Sequence, residues 1–339
     1  ADYERQSGNI SVPECDEANG IKVAVVGSGP SGLSFAGDMA KKGFDVTVFE
    51  ALHEIGGVLK YGIPEFRLPN AIVDVEIENL QKMGVKFITD CIVGKTISVK
   101  NLEEQGFRGF FIGSGAGLPN FMNIPGENAL NIMSSNEYLT RVNLMDAANP
   151  HTDTPINLGK KVVVVGGGNT AMDSCRTAKR LGAEVTLVYR RSEAEMPARL
   201  EEVKHAKEEG INFMTLHNPK EYEADEKGAV KAVVLDVMQL GEPDASGRRR
   251  PEATGETITL ECDQVIVAVG VSPNPLVPQS IEGLELGRKN TIAVNDQMQS
   301  SIEEIYAGGD IVRGGATVIL AMGDGRKAAL NMSEKLLKK

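Results

Sequence analysis

Two glycine-rich stretches have the composition and spacing that bind the pyrophosphate of a nucleotide. The first, Gly-Ser-Gly-Pro-Ser-Gly at residues 27–32, follows an apolar run and precedes a helix-like stretch. In this pattern the first glycine permits a tight turn, the second a close approach to phosphate, and the third close packing of helix on strand. Glu50 ends the next apolar run, where its carboxylate can accept hydrogen bonds from both ribose hydroxyls. An ordinary strand–turn–helix without a ligand is the alternative. The predicted dinucleotide contacts here are Gly27, Ser28, Gly29, Pro30, Ser31, Gly32 and Glu50.

The second stretch, Gly-Gly-Gly-Asn-Thr-Ala at residues 166–171, has alanine in place of the third glycine, a variant that dinucleotide sites also use. Its next apolar run ends in Tyr189-Arg190-Arg191, without an acid at the ribose position. An acid there would repel a 2′-phosphate, whereas guanidinium groups bind phosphate bidentately. This pattern favours NADPH over NADH, with a solvated basic loop as the alternative. The predicted contacts are Gly166, Gly168, Asn169, Thr170, Arg190, Arg191 and Arg199.

A third motif lies near the end of the sequence, where Ile-Tyr-Ala-Gly-Gly-Asp at residues 305–310 is followed by Gly-Ala-Thr-Val at 315–318. A short strand there would deliver Asp310 at its carboxyl end, where it could hold the ribityl chain of a flavin. A helix starting near Ala316 would point its N–H groups at the flavin and stabilise negative charge on the ring. A plain turn is the alternative. The predicted flavin contacts are Gly309, Asp310, Thr317 and Val318.

The elements that must position these motifs repeat along the sequence. Apolar runs at 21–26 and 45–49 flank a helical pattern at 31–42, and the same order recurs at 161–165, 169–181 and 184–189. Antiparallel strands are predicted at 230–240 and 256–261, with a charged, turn-rich hairpin between them. A further strand is predicted at 263–269, a short strand and turn at 303–309, and a long helix at 316–337.

The predicted fold class is α/β, with two Rossmann-like dinucleotide-binding domains, the second inserted into the first. One FAD site needs motifs from both ends of the sequence, so residues 21–125 and 265–339 are predicted to form the FAD domain. Residues 126–264 would form the NAD(P)H domain and residues 1–20 a lead-in segment.

Composition excludes several classes of function. The net charge of −11 disfavours nucleic acid and anionic membrane surfaces as partners. No run approaches the roughly 20 apolar residues of a membrane span, and no signal peptide is recognisable. The four cysteines are widely spaced, which predicts reduced thiols in a cytoplasmic protein, no metal site and no redox dithiol of the thioredoxin reductase type.

Together these motifs resemble the glutamate synthase small (beta) subunit family. The most specific matching stretches are Gly-Gly-Val-Leu-Lys-Tyr-Gly-Ile-Pro-Glu-Phe-Arg-Leu-Pro at residues 56–69, Tyr189 to Ala198, and residues 316–325. The same module is similar to the large subunit of NADH-dependent reduced ferredoxin:NADP oxidoreductase and to part of dihydropyrimidine dehydrogenase. The first of these stretches adds Gly57 and Arg67 to the predicted FAD contacts.

The resemblance implies that FAD takes hydride from NADPH and passes electrons to iron–sulfur clusters. In that family a cysteine-rich cluster domain precedes the FAD domain, and the sequence here opens with Ala-Asp-Tyr-Glu-Arg, similar to the junction after it. We therefore expect an excised or a lone flavin module. The clusters would lie in a missing N-terminal domain or in a partner such as the large glutamate synthase-type subunit. A subunit of an electron-bifurcating ferredoxin:NADP oxidoreductase and a nucleotide-binding module inactive alone are the alternatives.

Overall fold

The computed structural model describes residues 7–8, 11–244 and 247–338. Its strands, labelled in chain order, are β1 (Lys22–Val26), β2 (Asp45–Phe49), β3 (Lys86–Ile88), β4 (Phe107–Ile112), β5 (Leu118–Pro119), β6 (Ile132–Ser134), β7 (Lys161–Val165), β8 (Glu184–Tyr189), β9 (Asn212–Thr215), β10 (His217–Ala224), β11 (Val230–Pro243), β12 (Arg249–Glu261), β13 (Gln264–Val267), β14 (Val271–Ser272) and β15 (Ile305–Ala307). Its α-helices are α1 (Pro30–Lys41), α2 (Val58–Tyr61), α3 (Asn70–Lys82), α4 (Val99–Glu104), α5 (Ser135–Asn143), α6 (Asn169–Arg180), α7 (Leu200–Glu208), α8 (Leu276–Gln279), α9 (Asp310–Arg313) and α10 (Val318–Lys338).

The contacts between residues divide the chain into two units. Unit 1 takes its described residues from Ala1–Lys60, Leu68–Leu118 and Val271–Lys339, and unit 2 consists of Tyr61–Arg67 and Pro119–Gly270. The sequence placed the boundaries near residues 125 and 265, and it did not separate residues 61–67 from the segments on either side of them. Residues 119–125 belong to unit 2 because Met122 and Ile124 pack into its core. Residues 265–270 belong there because β13 is a strand of its sheet.

Unit 1 contains a five-stranded parallel sheet in the order β15-β4-β1-β2-β3. Alternate residues of β1 enter different clusters, because successive side chains of a strand point to opposite faces. Val23 and Val25 pack with Phe35 of α1 and with α10, whereas Ala24 and Val26 join a separate cluster with α4. Both faces are therefore covered, as the continuous apolar run of β1 predicts.

Unit 2 contains a second parallel sheet, in the order β6-β13-β7-β8-β9. Val162 and Val164 of β7 pack with α5, α6 and α7, and Val163 and Val165 pack against an antiparallel sheet in the order β10-β11-β12. Two α/β units with parallel sheets confirm the predicted fold class.

The antiparallel hairpin is longer than the sequence indicated. The segment 241–255 was expected to be turn-rich, yet β11 continues to Pro243 and β12 begins at Arg249. Most residues of β12 are exposed, so its charged side chains stay solvated while the backbone pairs. The turn itself is closed by hydrogen bonds from Asp244 N–H to the Arg248 carbonyl and from Gly247 N–H to the Asp244 carbonyl.

Candidate dinucleotide sites

The predicted residues of the first motif meet at one edge of the unit 1 sheet. Because β1, β2, β4 and β15 run parallel, their carboxyl ends lie at the same edge. Ligands of open parallel sheets bind at that edge. The residues that follow these four strands include Gly27, Glu50, Gly113 and Gly308.

The three glycines of the first motif have different surroundings. Gly27 has a φ of +97°, and a Cβ there would lie 2.6 Å from the carbonyl oxygen of Gly113. A Cβ on Gly32 would collide with the carbonyl oxygen of Gly27. Gly29 has no atom within 4 Å of a Cβ position, and it precedes α1 without a side-chain cap, with Pro30 in the first turn. The open space therefore lies at the N-terminus of α1, where backbone N–H groups can receive a phosphate.

Glu50, the predicted ribose contact, is held in place by hydrogen bonds from the glycine turn and from Leu52. Its Oε2 accepts hydrogen bonds from Ser28 N–H at 2.8 Å and Ser28 Oγ at 2.5 Å, and its Oε1 accepts from Leu52 N–H at 2.9 Å. Ser28 Oγ in turn accepts from Gly56 N–H at 3.0 Å. Ser28 is fully buried, so its hydroxyl orients Glu50. A carboxylate oxygen has two acceptor sites, so Oε1 can also accept from a ribose hydroxyl.

Two residues beside this turn extend the site. Gly57 has a φ of +55°, and a Cβ on it would lie 2.9 Å from Gly29 Cα, so the 56–57 turn lies against the open glycine. Ser114, which follows β4, has a buried Oγ with no hydrogen-bond partner. Buried hydroxyls are normally paired, so an unpaired one at this edge fits a polar ligand. Ser114 was not among the predicted contacts.

Asp310 lies at the carboxyl end of β15, as expected from the third motif. Its Oδ1 accepts from Ala316 N–H at 3.0 Å. Burial raises the pKa of Asp310, the nearby Asp324 carboxylate adds to the rise, and the Ala316 N–H opposes it. Gly309, with a φ of +77°, donates its N–H to Asp324 Oδ2 at 3.0 Å.

Asp324 is a residue that sequence reasoning missed. It is buried, and Arg313 pairs with it bidentately, from Nε at 2.7 Å and Nη2 at 2.6 Å. Together with the Gly309 N–H bond, this pair fixes the turn that carries Asp310. The stretch 316–325 that carries the family resemblance includes Asp324, but nothing in it reveals the partner Arg313 or the bond from Gly309.

The last helix begins beside the same turn. Thr317 Oγ1 accepts from Leu320 N–H at 3.3 Å and caps α10, whose first residue is Val318. A Cβ on Gly325 would collide with the Ser31 carbonyl, which shows how closely α10 packs on α1. Ser31 is buried in this contact, and Cβ atoms on Gly113 and Gly309 would lie 2.9 Å and 2.8 Å from its Oγ.

Arg67 belongs to unit 2, although it was predicted among the FAD contacts. Its Nη1 pairs with Asp173 at 2.7 Å and its Nε with Glu202 at 3.0 Å. The neighbouring Phe66 ring lies 4.7 Å from the Arg176 guanidinium. The guanidinium of Arg67 is thus occupied by two carboxylates, and we do not propose it as an FAD contact.

The second glycine motif repeats the geometry of the first. Gly166 has a φ of +144°, and a Cβ there would collide with the Ala268 carbonyl oxygen. A Cβ on Gly167 would lie 2.5 Å from the Tyr189 ring. Gly168 has no atom within 4 Å of a Cβ position and precedes α6 without a side-chain cap. The open position is again the last glycine before the helix.

The first turn of α6 and the loop after β8 are linked. Asn169 Oδ1 accepts from Arg199 N–H at 2.9 Å, so the side chain of Asn169 holds this loop. Thr170 is exposed in the first turn of the helix. The structure therefore brings Asn169, Thr170 and Arg199 together.

Three arginines of the loop are free to bind an anion. Within the described residues, the guanidinium groups of Arg190, Arg191 and Arg199 have no ion-pair partner, and the Nε of Arg191 is buried without a hydrogen bond. A buried, unpaired guanidinium nitrogen is unfavourable in an empty loop. The set therefore fits an anionic ligand such as a phosphate.

Comparison with known proteins identifies the family. The pyridine nucleotide-disulphide oxidoreductase model matches residues 21–325. The chain belongs to this family. The family description names oxidoreductases that use a pyridine nucleotide, so the chain is an oxidoreductase of this type.

Curated members of this oxidoreductase family resemble nearly the whole chain. A putative glutamate synthase [NADPH] small chain of Cereibacter sphaeroides is 37% identical over 93% of this chain and 76% of its own length. The NADP(+)-dependent formate dehydrogenase subunit beta of Moorella thermoacetica is 40% identical over 94% of this chain but 44% of its own. The NADPH-Fe(3+) oxidoreductase subunit beta of Geobacter sulfurreducens is 37% identical over 91% of this chain and 49% of its own length. The chain thus spans less than half the length of the formate dehydrogenase and Fe(3+) oxidoreductase subunits. The resemblance to the glutamate synthase small subunit is confirmed.

Solved structures of other oxidoreductases share the fold. FprA of Mycobacterium tuberculosis in complex with NADPH has a TM-score of 0.79 at 20% identity, and covers 94% of this chain and 85% of its own. The T. acidophilum thioredoxin reductase has a TM-score of 0.71, also at 20% identity, and covers 93% of this chain and 98% of its own. At this identity the likeness concerns the fold alone.

Despite the family description, all four cysteines of the oxidoreductase are free thiols. Cys91, Cys175 and Cys262 are buried, and burial raises the pKa of each, to about 12 for Cys262. Over residues 7–8, 11–244 and 247–338, no group of three or more His, Cys, Asp or Glu side chains is placed to hold a metal ion. The same ranges contain no helix long and apolar enough to cross a bilayer.

Proposed function

We propose that unit 1 binds FAD, that unit 2 binds NADPH, and that the chain moves electrons from NADPH through FAD to an iron–sulfur partner. The observation that supports this is a pair of glycines, Gly29 and Gly168, with no atom within 4 Å of a Cβ position. Each lies at a helix N-terminus without a side-chain cap. Only the second is followed by unpaired arginines. This difference separates a site for a flavin nucleotide from a site for a 2′-phosphate.

In unit 1 the proposed residues bind and orient rather than react. The α1 N-terminus at Gly29 and Pro30 would receive the pyrophosphate, and Glu50 the ribose of the adenosine. Asp310 would hold the ribityl chain, and the capped start of α10 at Thr317 would face the ring. When bound, FAD supplies redox chemistry by accepting two electrons as hydride and releasing them to one-electron acceptors.

In unit 2 the loop after β8 would select the nucleotide. Gly168, Asn169 and Thr170 would receive the pyrophosphate at the start of α6. Arg190, Arg191 and Arg199 would bind the 2′-phosphate by charge-assisted hydrogen bonds. NADH lacks that phosphate, so the unpaired guanidinium groups would contribute little to its binding.

The partner is proposed from the names of the relatives. A glutamate synthase small chain, a formate dehydrogenase beta subunit and an Fe(3+) oxidoreductase beta subunit share the nicotinamide nucleotide in their names and differ in the other redox partner. We infer that this chain works with an iron–sulfur domain or subunit of the glutamate synthase type. Four free thiols fit a reducing cytoplasmic location.

The flavin assignment is tested by purification. The protein should be yellow, and the released flavin should be FAD rather than FMN, because the glycine turn binds a pyrophosphate. A colourless protein that fails to take up added FAD would contradict the assignment. A diaphorase assay with NADPH and a dye acceptor then separates an active oxidoreductase from a module inactive alone.

The nucleotide assignment is tested by replacing both Arg190 and Arg191 with alanine. We expect the KM for NADPH to rise about tenfold or more, since each charge-assisted bond is worth about 1.5–3 kcal/mol before solvent screening. The KM for NADH should stay nearly unchanged. A double change of Lys227 and Lys231 to alanine removes the same charge from unit 2 and serves as the control. Equal losses for the two nucleotides would rule out the 2′-phosphate site.

A further inference from the structure

The β11–β12 hairpin is tied to the loop that follows β8. Leu216 N–H donates to the carbonyl of Arg191 at 3.0 Å, and the Leu216 carbonyl accepts from Met238 N–H of β11 at 2.8 Å. Near the tip of the hairpin, Arg249 Nε donates to Glu195 Oε1 at 3.1 Å. The loop and the hairpin are therefore joined at two places within unit 2.

Glu195 holds the loop together at its centre. Its Oε2 accepts from Ser192 N–H at 3.2 Å and Ser192 Oγ at 3.0 Å. Its backbone carbonyl accepts from the Tyr189 hydroxyl at 2.9 Å. The Tyr189 ring packs against Gly167 of the glycine turn. Contacts thus run from the hairpin, through Glu195, to the turn that would receive the pyrophosphate.

Glu195 also brings a negative charge into a loop that would bind a phosphate. Its side chain is 19% exposed. Burial opposes ionisation, but hydrogen bonds from Ser192 and the ion pair with Arg249 outweigh it and hold the pKa of Glu195 below its usual range. Glu195 is therefore ionised at neutral pH. An unneutralised carboxylate would repel a 2′-phosphate bound by Arg190 and Arg191.

Arg248 and Arg250 flank Arg249 but differ from it. Arg248 is exposed at the turn. Burial raises the pKa of Tyr189, and the charges of Arg191, Arg190 and Arg248 act against this rise. The hairpin tip therefore contributes positive charge to this loop. Arg250 is the neighbour of Arg249 in β12, and successive strand residues point to opposite faces. Its side chain is exposed and forms no ion pair within residues 7–8, 11–244 and 247–338.

We propose that Arg249 is a positioning residue for NADPH selectivity, which neutralises Glu195 so that the loop carrying Arg190 and Arg191 can accept the 2′-phosphate. This inference rests on the proposed assignment of unit 2 to NADPH. The hairpin is then a part of the nucleotide site contributed by the antiparallel sheet rather than by the glycine-motif repeat.

The test compares Arg249→Ala with Arg250→Ala in the FAD-loaded protein, each assayed for dye reduction with NADPH and with NADH. For Arg249→Ala we expect the KM for NADPH to rise about five- to tenfold, with the effect shrinking at high salt, because the charge is partly exposed. The KM for NADH should stay nearly unchanged, which also shows that the variant is folded. Arg250→Ala should behave as the unchanged protein.

A second variant separates neutralisation from simple structural support. In Glu195→Gln combined with Arg249→Ala, the amide keeps an acceptor for Ser192 and the negative charge is gone. The KM for NADPH should return to near the unchanged value. If the double variant is no better than Arg249→Ala, or if Arg249→Ala raises both KM values equally, the neutralising role is wrong.

The failure of this inference is distinguishable from failure of the proposed function. If Arg190→Ala/Arg191→Ala loses NADPH selectivity while Arg249→Ala matches Arg250→Ala, the site stands and the hairpin has no part in it. If Arg190→Ala/Arg191→Ala affects both nucleotides equally, the 2′-phosphate assignment itself is wrong.

Discussion

At the scale of single residues, the glycine turn of unit 1 is organised around one buried hydroxyl. Ser28 Oγ donates to Glu50 and accepts from Gly56 N–H, so it connects the two segments on either side of the proposed adenosine site. The sequence marked Ser28 and Glu50 as separate ligand contacts. The structure shows that one orients the other, which gives Ser28 a role that does not require it to touch the nucleotide.

Replacing Ser28 with alanine should therefore weaken FAD binding about tenfold, because Glu50 and Gly56 each lose a buried hydrogen bond. The dissociation constant for FAD, measured by flavin fluorescence on the apoprotein, checks this. Ser301→Ala is the matched control, since Ser301 Oγ also makes one donating and one accepting bond, to Gly283 and from Glu285, at the surface of unit 1. Equal effects of the two changes would show that Ser28 does not position Glu50.

At the scale of elements, the strand–turn–helix junction uses its glycines for different purposes. Gly32 is required by packing, because a Cβ would collide with the Gly27 carbonyl. Gly29 has ordinary backbone angles, φ −68° and ψ −179°, and open space around a Cβ position. The protein fold alone does not require glycine at 29, and the open space there leaves room for the proposed pyrophosphate to approach the backbone.

Gly29→Ala should accordingly leave the free energy of unfolding of the apoprotein nearly unchanged, while FAD affinity falls about tenfold or more, because the methyl group would occupy the place of the pyrophosphate. Gly32→Ala should instead destabilise the apoprotein by about 1–3 kcal/mol through overpacking. Urea unfolding and FAD titration of both variants measure the two effects. A Gly29→Ala protein with normal FAD affinity would place the pyrophosphate elsewhere.

The segment 61–67 belongs to unit 2, although the residues on either side of it in the sequence belong to unit 1. The Nη1 of Arg67 donates to both carboxylate oxygens of Asp173 at 2.7 Å, and Asp173 is 4% exposed. Burial raises the pKa of Asp173 to about 6, Arg67 acts in the opposite direction, and Glu202 adds to the rise. The native protein therefore binds this proton more tightly than the unfolded chain, so the contribution of Asp173 to stability falls as pH rises from about 4 to above about 6.

Arg67→Ala should destabilise α6 by about 3–5 kcal/mol at a pH of about 8, since it leaves a buried carboxylate unpaired. The loss should be clearly smaller at a pH of about 5, because Asp173 is then largely protonated and needs no cation. Hydrogen exchange of the α6 amides at the two pH values measures the difference. Arg141→Ala, which removes an exposed pair with Glu137, is the control and should have little effect at either pH. A pH-independent loss for Arg67→Ala would contradict the shifted pKa.

At the scale of the whole molecule, unit 1 is assembled from segments that are distant in the sequence. Its sheet places β15, near the end of the chain, beside β4, which pairs on its other side with β1, near the beginning. Gly27, Glu50 and Asp310 therefore reach one edge only when the chain returns after unit 2. The nucleotide proposed for unit 1 would contact all of these segments and hold them together.

Removing FAD should then destabilise unit 1 selectively. A ligand present at about 100 times its dissociation constant stabilises the native state by about 2.7 kcal/mol. We expect peptides covering β1, α1 and the start of α10 to lose protection from hydrogen exchange in the apoprotein, while β7 and α6 of unit 2 keep theirs. NADP added to the apoprotein should increase the protection of β7 and α6 in unit 2 and leave that of the unit 1 peptides unchanged. A uniform change across both units would argue against separate sites.

The sequence by itself determined the two strand–turn–helix motifs and the α/β class. It also determined the positions of Glu50 after β2 and of the arginines after β8, because these depend on spacing within a few tens of residues. The bounds of β2, β7 and β8 agree with the predicted runs for the same reason. Only the tertiary structure decided the positions of Arg67, Asp324 and Arg249. Each is set by a partner more than ten residues away, Asp173 for Arg67, Arg313 for Asp324 and Glu195 for Arg249. A charged side chain in a polar stretch has no periodicity that reveals its partner, so its role becomes visible only when the chain folds the two together.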